Sequence, residues 1–175
     1  VFAQTGPGGV GNSSNNFLWL KVDDLSGFSD GDRISQWSDA SGNSNHLSSS
    51  GTVRPYFRAN IQNTFPAVSF ETPNNRLVKD NFASFPTSEI TFIVLNRNDG
   101  QSGDGMVSYA SSSSDDNDFL YYDSDNLKMY VSQNTENSSL SVNDNNWHII
   151  DGSWQSSGGN MEFWIDGNQD YTSTL

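Results

Sequence analysis

Two acidic loops contain the residue types in this sequence that are best suited to holding a metal ion. One loop covers residues 98–104 (NDGQSGD) and the other covers residues 115–118 (DDND). Calcium is bound by several oxygen atoms from carboxylates, amides and carbonyls, and both loops are rich in these groups. Neither loop ends in the glutamate of an EF-hand, so the alternative is a pair of solvated turns. The predicted calcium ligands are Asp99, Asp104, Asp116 and Asp118.

Paired carboxylates would indicate a glycoside hydrolase, which needs an acid and a nucleophile or base facing one cleft. The chain has four glutamates, and none belongs to a Glu-x-Asp-x-x-Glu pattern. Asp123 and Asp125 alternate, but they lie in a predicted turn. His46 and His148 have no partner at the spacing of a metal site or a catalytic triad. We therefore expect that the protein is not an enzyme.

Four aromatic residues are candidates for sugar binding. Exposed aromatic rings can stack on sugar rings, while amide, carboxylate and backbone groups bond to the hydroxyls. Alternation along the predicted strands places four rings away from the core, because successive side chains of a strand point to opposite faces. These ligand-binding candidates are Trp164, Tyr130, Tyr122 and Trp154. The alternative is that some of them only cover the back of a sheet.

The charge of the chain excludes several classes of partner. Its 175 residues carry 8 Lys and Arg against 21 Asp and Glu, a formal net charge of −13 at pH 7. Such a surface repels the phosphates of nucleic acids and the headgroups of anionic membranes. The sequence contains no transmembrane span, so we expect no membrane insertion. Cysteine is absent, which excludes disulfides and thiol chemistry.

The elements that must position these residues are predicted to be strands. No stretch has a helical period, whereas short apolar or alternating runs recur between clusters of Ser, Asn, Asp and Gly. Tight turns at residues 123–126 and 156–159 join neighbouring runs into hairpins. The pattern predicts an all-β fold, a two-sheet antiparallel β-sandwich. The predicted strands are Phe17–Val22, Ile34–Trp37, Ala67–Phe70, Ile90–Leu95, Met106–Tyr109, Phe119–Tyr122, Leu127–Val131, Leu140–Val142, Trp147–Trp154 and Met161–Ile165.

The hydrophobic pattern also assigns faces and a core. Met161, Phe163 and Ile165 are expected on the core face of their strand, with Trp164 on the opposite face. The run Ile90–Leu95 is almost continuously apolar, which predicts a central strand covered on both faces. The predicted core residues are Leu18, Leu20, Trp37, Val68, Phe70, Phe92, Val94, Met129, Trp147, Phe163 and Ile165.

A set of motifs in a fixed order carries a family resemblance. The first group is FLWLKV at 17–22, GDRISQWSD at 31–39, SGNSNHL at 41–47, RPY at 54–56 and FPAVSF at 65–70. The second group is WHII at 147–150 and FWIDG at 163–167. In these motifs the chain resembles the concanavalin A-like lectin or LamG (laminin-G-like) domains of secreted Bacteroidota surface proteins. The resemblance covers the chain from about residue 15 onwards, and most of its motifs are structural.

The resemblance implies a concanavalin-like jelly roll over residues 16–175. It further implies a non-catalytic binding or adhesion domain of a larger secreted or cell-surface bacterial protein, with a glycan or a cell-surface protein as partner. One alternative is a polysaccharide-active enzyme or its carbohydrate-binding module. The other is a structural spacer or assembly subunit. Fold alone does not decide among them.

Both ends of the chain suggest a longer polypeptide. Val1–Gln4 resembles the end of a signal peptide, with cleavage expected near Ala3 or Gln4, so residues 1–15 are predicted to be its remnant and a flexible segment. This predicts export to the cell exterior. At the other end, residues 170–175 resemble the start of another strand, after a turn at Asp166-Gly167. We expect further chain, or a partner strand, to complete the sandwich, because sheet edges left open tend to pair.

Overall fold

The computed structural model describes residues 6, 11–82, 85–98, 105–110, 118–132 and 134–175. Regular structure in these ranges consists of β-strands and two single-turn 3-10 helices, Val22–Asp24 and Gly51–Val53. The strands are β1 (Gln36–Trp37), β2 (Leu47–Ser48), β3 (Tyr56–Gln62), β4 (Phe65–Ser69), β5 (Glu89–Arg97), β6 (Gly105–Tyr109), β7 (Phe119–Tyr122), β8 (Lys128–Val131), β9 (Asn134–Asn137), β10 (Trp147–Gln155), β11 (Asn160–Ile165) and β12 (Asn168–Thr174). Every strand pair is antiparallel, which confirms the predicted all-β class. No helix among these residues is long and apolar enough to span a membrane.

The chain divides into two compact units, Val1–Phe85 and Pro86–Leu175. In the first unit, β1 pairs with β2 and β3 pairs with β4. The predicted domain boundary, residues 16–175, stays a prediction. The core of the first unit is formed by Leu25, Ile34 and Phe57, with Val22, Phe28, Trp37, Ala59, Val68 and Leu77 packed against them.

The second unit is a sandwich of two four-stranded sheets, in the orders β12-β11-β10-β5 and β6-β7-β8-β9. Aromatic rings join the inner faces of the sheets. The centroid of Phe92 lies 4.6 Å from that of Tyr121, which lies 5.9 Å from that of Phe163. At the margin, the hydroxyl of Tyr171 donates to a carboxylate oxygen of Glu136 at 3.1 Å. This confirms the predicted two-sheet antiparallel sandwich.

Both predicted hairpins are present, and their turns consist of residues that adopt turn conformations easily. Tyr122 pairs with Lys128 across the turn 123–126, and Trp154 pairs with Met161 across the turn 156–159. Gly159 has φ +69°, a conformation that glycine adopts without steric cost. The Asp166-Gly167 turn leads directly into β12, as expected from the sequence.

Two predicted strands do not form, and several strands were missed. In the segments 17–22 and 140–142, backbone groups bond to loops instead of a ladder, apart from an isolated bridge between Leu20 and Asp39. The missed strands β2, β3 and β9 are short or rich in polar side chains, whereas β12 forms where residues 170–175 were expected to start a strand. β9 (NTEN) has no apolar residue, and its pairing with β8 supplies the ladder instead. Polar side chains are tolerated there because β9 is an edge strand of its sheet.

The prediction that Ile90–Leu95 is a central, doubly covered strand is wrong. This run lies in β5, at one edge of its sheet, and Ile93 and Leu95 are each 64% exposed. Phe70, a predicted core residue, is also exposed (54%), and Trp147 is only half-buried. The core positions of Met129 and Phe163 are confirmed, since neither has exposed surface.

Candidate functional site

The loop at residues 39–45 is built around one buried carboxylate. Oδ1 of Asp39 accepts the backbone N–H groups of Trp19 at 2.9 Å and Ser41 at 2.8 Å. Oδ2 accepts the hydroxyl of Ser41 at 2.8 Å and the N–H of Asn45 at 2.9 Å. Burial alone would raise the pKa of Asp39, but these hydrogen bonds outweigh it and hold the pKa below its usual value. The carboxylate is therefore saturated by its own loop and by Trp19, and it serves the fold, with the bond to the Ser41 N–H closing an Asx-type turn.

Both histidines also have structural positions. Nδ1 of His46 accepts the backbone N–H of Asp39 at 3.0 Å. Nδ1 of His148 lies 2.7 Å from Oδ2 of Asp166, and its Nε2 lies 3.1 Å from Oδ1 of Asp144. His148 thereby links the loop before β10 to the turn after β11. The hydrogen bond with Asp166, followed by that with Asp144, raises the pKa of His148 above its usual value despite partial burial.

This link predicts a pH-dependent contribution to stability. The raised pKa in the folded state means that protonated His148 stabilises the fold below its unfolded pKa of about 6.5, and that this contribution is lost as the pH rises through the folded pKa. We expect His148→Gln to lower the melting temperature more at pH 6 than at pH 9. Melting curves of both proteins across this range check the prediction, and NMR titration of the ring measures its pKa directly. A difference between the proteins that does not change with pH would contradict it.

Trp164 is the most exposed of the four ligand-binding candidates. It lies on the outer face of the sheet β12-β11-β10-β5, with 36% of its surface exposed. Its indole N–H donates to Oε2 of Glu162 at 3.3 Å. Register places Asp151 of β10 directly opposite Trp164, and Ile93 directly opposite Asp151 on the other side. Burial raises the pKa of Asp151. Oδ1 of Asp151 is buried without a hydrogen-bond partner, so Glu162 is the more accessible of the two carboxylates. An exposed indole beside such a carboxylate is an arrangement that can stack on a sugar ring and accept its hydroxyls.

Tyr122 and Tyr130 lie together on the outer face of the sheet β6-β7-β8-β9. Their neighbours Tyr121 and Met129 are fully buried, so alternation places these two rings outside. Tyr122 pairs with Lys128, whose ammonium lies 5.5 Å from the centre of the Tyr122 ring. Both tyrosines are half-buried. They form a second, less exposed aromatic surface on the opposite side of the sandwich from Trp164.

The expected outward orientation of Trp154 is wrong. Trp154 shares its face of β10 with Ile150 and Gly152, and a Cβ at Gly152 would meet the Phe92 ring in the core. Its partner in β11 is Met161, which is fully buried. The sequence placed Trp154 outside because alternation shows which residues share a face without showing which face is covered.

The proposed calcium ligands fall largely outside the described residues. Asp99, Asp104 and Asp116 are in this group. Asp118 is described and half-buried, and its backbone joins the ladder through Tyr109 and Ser132. Within the described ranges, no group of three or more His, Asp and Glu side chains is placed to hold a metal ion. The described residues thus do not gather a calcium site, and the four ligands stay a prediction.

The negative charge is concentrated in the unit that carries both aromatic surfaces. Val1–Phe85 has six basic and seven acidic residues, a formal charge of −1. Pro86–Leu175 has two basic and fourteen acidic residues, a formal charge of −12, which together with the first unit makes −13. A field of this sign disfavours anionic ligands at either surface.

Sequence reasoning missed the carboxylates beside Trp164. For Glu162, the spacing of two residues from Trp164 was the available signal, because residues two apart share a face of a strand. Asp151 comes from another strand, and only the register of β10 with β11 brings it opposite Trp164. Pairs of this kind depend on strand register, which a single sequence specifies weakly.

Fold and site together define an all-β binding domain built on a concanavalin-like sandwich. The family model of the Pentaxin family matches residues 63–174, and the chain therefore belongs to the Pentaxin family. Because the pentaxin domain is itself a concanavalin-like jelly roll, the match confirms the broad resemblance, while the LamG type of Bacteroidota stays a prediction. No curated protein and no solved structure matches the chain.

Proposed function

We propose that this chain is a non-catalytic glycan-binding domain of a larger secreted or cell-surface protein, and that Trp164 forms its sugar-binding surface. The observation that carries the proposal is the exposed Trp164 indole beside Glu162 and opposite Asp151. The aromatic face offers a flat apolar surface to the C–H groups of a pyranose ring. The carboxylates supply acceptors for hydroxyl groups.

The charge distribution supports neutral sugars as the ligand class. Carboxylates accept hydrogen bonds from hydroxyls but repel sulfates and uronic acids. The formal charge of −12 in Pro86–Leu175 acts in the same direction. We therefore expect neutral glycans to bind in preference to sulfated or uronate-rich ones, with the preference for neutral chains decreasing at high salt as the field is screened.

The test is a glycan array followed by titration of the best ligand. We expect Trp164→Ala to weaken the affinity about tenfold or more, since stacking of a ring contributes roughly 1 kcal/mol beyond buried area. Phe65→Ala, which removes an aromatic ring of the first unit that is 60% exposed, is the matched control and should bind as the parent does. Tyr130→Ala tests the second aromatic surface. Retained binding by the Trp164 variant and lost binding by the Tyr130 variant would move the site to the opposite sheet.

The enzyme alternative is separated by product analysis. We expect no reducing ends and no unsaturated sugars after incubation of the protein with neutral and acidic polysaccharides. Their appearance would replace the binding proposal with a polysaccharide-active enzyme. An array without any bound glycan would instead favour a spacer or assembly role.

Calcium binding is proposed separately. If Asp99, Asp104, Asp116 or Asp118 holds calcium, the ion should raise the melting temperature, because a ligand that binds only the folded state stabilises it. Melting in calcium is compared with melting in chelator, with magnesium as the control ion. Equal melting in all three would end the calcium proposal without affecting sugar binding at Trp164.

A further inference from the structure

We propose that two copies of this chain associate through β5, which pairs antiparallel with the partner's β5 and joins two sheets into one. β5 covers Glu89–Arg97 and forms one edge of the sheet β12-β11-β10-β5. One side of β5 pairs with β10, and within the described ranges no strand pairs with its other side. The backbone N–H and C=O groups along such an edge are available to another strand.

The side chains of β5 make this edge unusually suited to pairing. Protected edges are short, or carry Lys, Pro or a bulge. β5 has nine residues and lacks all three features, with continuous register against β10. Its outer face carries Ile93 and Leu95, each 64% exposed, and Ile149 of β10 is directly opposite Leu95 and 47% exposed. Pairing with a second strand would cover part of this apolar surface.

The sequence of β5 is complementary to itself when read in the opposite direction. Antiparallel pairing centred on Ile93 places Ile93 opposite the partner's Ile93. It places Glu89 opposite the partner's Arg97, and Arg97 opposite the partner's Glu89. In the same way, Thr91 lies opposite the partner's Leu95, and Leu95 lies opposite the partner's Thr91. Opposite charges placed directly across two strands stabilise the pair, and a two-fold axis forms each contact twice.

Other registers are less favourable. A shift by one residue places the exposed apolar residues of the partner on the opposite face. A shift by two residues retains the faces but separates Glu89 from the partner's Arg97. Only pairing about Ile93 uses the whole length of β5 and forms both ion pairs. Neither Glu89 nor Arg97 has an ion-pair partner within its own chain among the described residues, although Arg97 lies 5.5 Å from the Trp147 ring.

The net charge of −13 opposes association of two copies, so the pairing must overcome a general repulsion. At about 0.15 M salt the screening length is about 8 Å, which weakens repulsion between distant charges more than attraction between contacting ones. We therefore place the test at this ionic strength. Despite the net negative charge of both copies, Arg97 of each copy supplies a positive charge directly opposite the partner's Glu89.

The test uses charge reversal and sedimentation of the full chain across a concentration series. We expect the parent to dimerise, and Glu89→Arg and Arg97→Glu each to weaken the dimer about tenfold or more, because two attractive pairs become repulsive. Mixing these two variants should restore association. The Glu89→Arg chain is positive at positions 89 and 97, the Arg97→Glu chain is negative at both, and each positive position then lies opposite a negative one. The double variant Glu89→Arg/Arg97→Glu should dimerise by itself.

Control variants distinguish pairing through β5 from association through another surface of the protein. Asp23→Arg makes the same change of charge as Glu89→Arg in an exposed turn of the first unit and should leave the dimer intact. Ile93→Lys should abolish pairing without lowering the melting temperature of the monomer, because the side chain is exposed. A parent that remains monomeric at every concentration overturns the proposal. A dimer that is insensitive to the single reversals, or a mixture that does not recover association, also overturns it.

Discussion

Asp39→Ala is expected to destabilise the protein by at least about 3 kcal/mol. The substitution removes a carboxylate that accepts four hydrogen bonds, from the backbones of Trp19, Ser41 and Asn45 and the hydroxyl of Ser41. Hydrogen bonds to charged groups contribute about 1.5–3 kcal/mol each, and buried donors left without acceptors add a further cost. Urea unfolding followed by tryptophan fluorescence measures the loss.

Two comparisons make the Asp39 prediction specific. Asp39→Asn retains the shape but loses the charge and one acceptor, so its loss should be somewhat smaller. Asp23→Ala removes an exposed carboxylate and should change stability by less than about 0.5 kcal/mol. The pKa of Asp39 is lowered in the folded state, so its contribution is present above its unfolded pKa of about 3.9 and is lost as the pH falls through the folded pKa. The stability gap between parent and Asp39→Ala should therefore narrow in strong acid, and a gap that widens there would contradict the assignment.

The second large effect is expected at Gly152, at the centre of the sandwich. A Cβ at this position would collide with the Phe92 ring, well inside van der Waals contact. That ring already packs against Tyr121 and Phe163. Overpacking a core typically costs about 1–3 kcal/mol, so we expect Gly152→Ala to fall in this range and Gly152→Val to exceed it. Chemical denaturation of both variants checks the order.

A double-mutant cycle separates overpacking from a general effect on β10. Phe92→Leu reduces the ring that a side chain at position 152 would meet, so Gly152→Ala should cost less in that background. We expect a favourable coupling of about 0.5–3 kcal/mol, as is usual for residues in contact. Ser153→Ala, one residue further on the outer face, is the control and should be nearly neutral. Strict additivity at positions 92 and 152 would show that the close approach is not the cause.

The hairpins and the fold class were predictable because they depend on short-range chemistry. A turn such as Asp166-Gly167 requires backbone angles that Gly and Asn or Asp adopt easily, and both residues have positive φ here. Alternation in β11 likewise indicated that Met161 and Phe163 share one face and Trp164 the other, and the burial of these residues agrees. Information of this kind lies within a few residues of the chain.

The order of strands and the covered faces were decided only by the tertiary structure. Alternation could not show that Trp154 lies opposite Ile90 and the buried Met161, or that apolar β5 lies at an edge with Ile93 exposed. It also could not place Asp151 opposite Trp164, because their register is a contact between strands. The polar strand β9 forms because β8 supplies its hydrogen bonds, not because of its own residues. The sequence by itself determined which side chains share a face of each strand. The pairing of strands distant along the chain decided which faces are buried and which residues meet. Those contacts depend on packing and register between strands and not on local propensity.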